Sequence, residues 1–104
     1  MENAPRHTPW GAVQQQEKLC EGLYFLSTAS HGGIWVAPEL RDRVPKCNNF
    51  LKSRAFWEED CDWAIPFVVF ADEIKAYKGG NEYFDRSLAA AKATIKHWHK
   101  EVEI

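Results

Sequence analysis

The sequence contains no apolar run long enough to cross a bilayer, no cysteine pair in CxxC spacing, no internal repeat and no low-complexity tract. Each absence removes a class of protein. A membrane helix needs about 18 or more consecutive apolar residues, and the opening stretch MENAPRHTP has no apolar signal region, so no membrane is expected and the cytoplasm is. Three cysteines, Cys20, Cys47 and Cys61, are an odd number, which excludes a complete disulfide framework and fits a reducing compartment. An excess of either charge is also missing. Thirteen basic against fifteen acidic residues leave a net charge of −2, so direct nucleic-acid binding is not expected, nor is a uniformly acidic DNA mimic. There is no phosphate loop or zinc-finger spacing, and neither a cofactor nor a resident metal is expected.

Aromatic residues are plentiful. Five Trp, six Phe and three Tyr in 104 residues supply large buried area per side chain, enough to carry the core of one small domain. Residues 1–9, with Pro5 and Pro9, are expected as a flexible N-terminal arm, and 10–104 as one compact α+β domain. Its expected fold is a small antiparallel β-meander packed against two or three helices, with a long amphipathic helix at the C-terminus. Val13 to Leu19, with its run of Gln, reads as a strand or else a short helix, the strand being favoured, and Leu23-Tyr24-Phe25-Leu26-Ser27-Thr28 is a clear strand by its aromatic content. Residues 29–33 form a turn, in which Gly32 and Gly33 supply positive φ, and Ile34 to Ala37 return as the partner strand.

Pro38 starts a short helical turn that Pro45 ends, and 46–54 reads as loop. A second helix is expected from Phe56 or Trp57, because Trp57, Cys61, Ala64, Ile65 and Val68 recur at helical spacing. Pro66 removes one helical hydrogen bond, so this helix is kinked there; the alternative is that it ends and 67–70 becomes a strand. Phe84, Leu88, Ala91, Ile95, Trp98 and Val102 form the apolar seam of a final helix from about Glu82 to Glu101.

Four groups of side chains invite chemistry, each with a plainer account. His31, beside Ser27, Thr28 and Ser30, has the residue types of a general base, or is the polar tip of a hairpin. Glu58, Glu59, Asp60 and Asp62 place four carboxylates in five positions, as an acidic contact patch or a solvated helix start. Asp60 is expected to be half-buried. Cys61 falls on the apolar stripe, which favours packing over a nucleophile paired with His31. His97 and His99 are two apart on a helix and point about 200° from each other, so they do not share one ion. Cys47 reads as an exposed loop thiol without catalytic neighbours. Arg41, Arg43, Lys46, Lys52 and Arg54 make the preceding segment basic, which gives a bipolar surface suited to registering a protein partner.

Three stretches carry a family likeness: Thr8-Pro9-Trp10-Gly11, Ser27-Thr28-Ala29-Ser30-His31-Gly32-Gly33, and Phe56-Trp57-Glu58-Glu59-Asp60-Cys61-Asp62-Trp63-Ala64. Together they resemble a family of short uncharacterised proteins carried on phages, plasmids and other mobile elements, a domain of unknown function. The resemblance implies a small accessory protein in a bacterial host that binds a host or competitor complex with a basic surface. Anti-CRISPR inhibitors are the comparable class. On that reading the contact residues are His31, Gly32, Glu58, Glu59, Asp60, Asp62 and Trp63, with Trp35, Trp57 or Trp63 as apolar anchor, and no residue is catalytic. The alternatives are a small hydrolase or transferase using His31 with Asp60 or Cys61, and a dimeric structural or regulatory protein joined through surplus aromatics.

Overall fold

Alternating aromatic and aliphatic residues in the middle of the chain fold into the expected meander. The computed structural model describes residues 3–46, 49 and 51–102. Three strands follow one another, β3 (Gln15–Cys20), β4 (Leu23–Ser27) and β5 (Gly32–Val36), after a two-stranded N-terminal ribbon of β1 (His7–Thr8) and β2 (Gly11–Ala12). A fourth, β6 (Phe56–Glu58), joins β5 from the far side of the 3-10 helix Pro38–Arg43, giving an antiparallel sheet in the order β3-β4-β5-β6. Three helices complete the α+β fold: α1 (Ala64–Val69), α2 (Ala71–Lys78) and α3 (Glu82–Trp98).

Both sheet faces are covered, and side-chain alternation sorts the residues between them. Leu19, Leu23, Ile34, Val36 and Trp57 face the helices and pack with Ile65, Phe70, Ile74, Phe84, Ala91 and Ile95. Leu26, Trp35 and Ala37 form a smaller cluster on the other face, joined by Ala4, Val13, Tyr24 and Phe56. The stretch expected to be an arm without regular structure carries β1, and the Val13 N–H donates to the Arg6 carbonyl at 2.8 Å. Trp10 meets Phe56 edge to face at 5.8 Å.

Two elements differ from expectation. Phe56–Glu58 is a strand, not the start of a helix: Ile34 pairs with Trp57 and Gly33 with Glu58. The helix begins eight residues later, at Ala64 rather than Phe56, and Pro66 is its third residue, where a missing N–H has no carbonyl to leave unsatisfied. The helix is therefore not kinked at Pro66, and 67–70 is not a strand. The break comes at Phe70 (φ −104°, ψ 21°), under the Arg43 guanidinium, which lies 4.5 Å from its ring centroid.

Gly32 and Gly33 are strand residues and not positive-φ turn residues; the turn spans Thr28 to His31. Gly33 is required by close approach, since a Cβ there would overlap the Trp57 carbonyl oxygen and the Trp10 ring. The residue with positive φ in this meander is Gly22 (φ 83°), in the β3–β4 turn.

At the C-terminal end, α3 stops at Trp98 and not at Glu101. Trp98, expected in the seam, is 62% exposed, and His99 is buried in its place. Asn81 caps the other end, its Oδ1 accepting from the Phe84 N–H at 2.8 Å.

Candidate functional site

The β5–β6 pairing brings the two most polar segments of the sequence together. Thr28 N–H donates to the His31 carbonyl at 2.8 Å, the Thr28 hydroxyl donates to the same oxygen at 2.6 Å, and His31 N–H donates back to that hydroxyl at 3.1 Å. The Ser30 hydroxyl is directed to the Trp10 carbonyl at 3.3 Å. Thr28 and Ser30 thus bond to backbone and fix the turn. Across the ladder, Glu59 N–H donates to the Gly32 carbonyl at 2.9 Å, which sets the Glu59 carboxylate beside the imidazole, Oε1 3.6 Å from His31 Nδ1.

The four carboxylates have separate fates. Glu59 and Asp60 are exposed, so Asp60 is not half-buried as expected. Glu58 is half-buried at the end of β6 and accepts from the Asp60 N–H at 2.8 Å. Burial raises its carboxyl above the usual range, and the Asp60 and Asp62 charges add to that rise. Asp62 is turned inward, 4% exposed, with Oδ1 2.9 Å from His99 Nε2. That contact is close but not aligned as a hydrogen bond. Asp62 is therefore removed from any contact face. Gly32 is buried too, and only its backbone contributes to the site.

Of the three tryptophans considered as anchors, Trp35 and Trp57 are buried in the core, while Trp63 is half-buried. Cys61 is also half-exposed rather than packed in the core. Burial raises its thiol, and the charges of Asp62, Glu58 and Asp60 raise it further, which lowers the thiolate fraction a nucleophile needs. Cys47 lies outside the described residues. The basic segment is largely turned to internal contacts: Arg41 Nε donates to the Val36 carbonyl at 2.8 Å, Arg43 pairs with Glu73 at 2.5 Å, and Arg54 reaches Asp42 at 3.8 Å.

Beside the acidic run opens a groove of about 490 Å³ between the sheet and the helices. Leu19, Phe25 and Ile34 line it from the sheet, Phe67 and Phe84 from the helices, and Trp63 from the turn before α1. Its charged lining residues are Glu17, Lys78 and Glu59. Glu17 and Lys78 neutralise one another at 2.5 Å, whereas Glu59 has no lysine or arginine partner among the described residues. The groove was not foreseeable from local pattern, because its walls come from β3, β4, β5, α1, α2 and α3. Tyr83, at its edge, is 79% exposed, and with Tyr77 and Trp98 it makes up the exposed large aromatics among the described residues.

A family model described as a domain of unknown function, DUF7007, matches residues 3–102. The chain belongs to the DUF7007 family. No curated protein and no solved structure matches it. The DUF7007 match runs through both polar segments and all three helices, so the family unit includes α3 as well as the residues that carried the resemblance.

Proposed function

We propose that this DUF7007 chain is a small non-enzymatic binding protein of a mobile genetic element, one that inhibits a bacterial defence complex, of the CRISPR-effector type, by protein–protein contact. The observation that carries the reading is the placement of Glu59, of the acidic run, and the neighbouring Trp63 on the lining of one open apolar groove. An apolar pocket beside an unneutralised carboxylate suits a partner side chain that is aliphatic or aromatic and is flanked by a lysine or arginine. Such a partner surface is basic, as nucleic-acid grooves are. The contact residues in this reading are His31, Glu58, Glu59, Asp60 and Trp63, with Gly32 holding the backbone.

The test is a plasmid-interference assay in cells carrying a CRISPR effector, with wild type and the E59K/D60K variant. Wild type is expected to restore transformation, and the reversal of two exposed charges is expected to abolish most of that effect. With purified components, inhibition should saturate near one protein per effector. Full inhibition at far lower ratios would point to turnover and overturn the binding reading. Equal inhibition by E59K/D60K would discard this surface.

A further inference from the structure

We propose that His31, Glu58 and Glu59 form a binding site for a divalent first-row transition-metal ion at the mouth of the groove. One ligand atom from each of the three side chains lies within 4.8 Å of the other two. The donors come from two separate segments, so no spacing in the linear sequence announces them. What holds them together is the sheet: Gly33 is paired with Glu58, and Glu59 N–H bonds to the Gly32 carbonyl at 2.9 Å. The His31 end is pinned by Thr28. The backbone that carries all three ligands is thus set by hydrogen bonds before any ion arrives. Side-chain rotation of the exposed His31 and Glu59, with a smaller adjustment of the half-buried Glu58, is what remains to bring donors to coordination distances of about 2.0–2.2 Å.

Charge and chemistry point the same way. Glu17, Glu21, Glu73 and Glu82 each meet a lysine or arginine. Glu58, Glu59 and Asp60 meet none among the described residues, and Glu58 and Glu59 lie beside one imidazole. One nitrogen and carboxylate oxygens suit zinc, cobalt, manganese or ferrous iron, and not a soft ion that prefers thiolates. Three protein ligands leave coordination positions open, the arrangement of a site that takes a further ligand rather than a closed structural one. Because Glu59 also lines the groove, a group bound there lies beside the ion. The inference does not depend on the partner reading above.

Titration of Co²⁺ into the metal-free protein, followed by visible absorption, and of Zn²⁺, followed by calorimetry, is expected to show one saturable site per chain. Loss of an outer-shell partner alone typically weakens metal binding about 10–100-fold, so H31A and E59Q, which remove ligands, should each weaken it at least tenfold. H97A, at the exposed end of α3, should leave it unchanged, and circular dichroism should show the fold intact in all three. No saturable site in wild type, or binding by H31A or E59Q equal to wild type, overturns the proposal. A cobalt spectrum with thiolate charge transfer places the ion on a cysteine and overturns it too.

Discussion

His99 Nε2 lies 2.9 Å from Asp62 Oδ1, with both side chains at most 6% exposed. The pair ties the residue just past α3 to the turn that leads into α1. Removing one member of a buried polar pair is costly, because it leaves the other group buried without that neighbour. H99A and D62N are each expected to lower stability by about 2–3 kcal/mol. The double variant should fall short of their sum by about 1 kcal/mol or more. Urea midpoints at constant slope measure this, and strictly additive losses would deny the coupling.

The same pair shows where sequence reading reaches its limit. Strands β4 and β5 were legible because each aromatic-bearing run is bounded by a local turn, and α3 because its seam repeats over many residues, whereas the Gln run of β3 left strand and short helix both open. One turn beyond Ile95, however, helical spacing offers both Trp98 and His99 to the core. Hydropathy chooses Trp98; the structure chooses His99, because Asp62 waits there from a distant segment. Phe56–Glu58 was misread for a related reason. A three-residue strand has almost no periodicity of its own, and its identity comes from pairing with β5. Pro66 was the available signal for the true start of α1, since proline is tolerated in a first turn and not in a helix interior. The candidate site was legible as two polar segments, but their meeting was not.

Trp98 and Trp57 separate the two accounts of the core by experiment. W98A removes a mostly exposed ring and is expected to change stability by no more than about 0.5–1 kcal/mol. W57A empties a fully buried site and should cost about 3–5 kcal/mol. Thermal melts of the two variants decide the matter; comparable losses would restore Trp98 to the interior.

Gly33 tolerates no side chain. G33A drives a methyl into the Trp57 carbonyl and the Trp10 ring, and the expected cost is about 2–3 kcal/mol or more. G80A meets only the flexible Lys75 side chain and should be close to neutral. A G33A protein as stable as wild type by chemical denaturation would contradict the observed β5–β6 register.

Cys20 provides the pH dependence. Burial pushes its thiol from 9.0 up to about 11, so the folded chain holds this proton more tightly than the unfolded one. The resulting stability is complete below pH 9 and is lost as pH rises from about 9 to about 11. The stability gap between wild type and C20A should therefore narrow across that window. At pH 8, iodoacetamide should label the half-exposed Cys61 well before Cys20, read by peptide mass spectrometry. Equal labelling rates would show that the β3 end opens readily.

The borders of the sheet bear on how this molecule meets others. β3 is shielded by α2, with Lys78 clasping Glu17 and Lys18 lying over the Tyr77 ring. β6, at the opposite border, has only three residues before the chain turns away at Glu59. Neither margin offers a visiting chain a long template for main-chain pairing. Recognition by strand addition, and the fibre-like stacking that accompanies bare margins, are thereby discouraged, and selectivity falls to the side chains around the groove mouth.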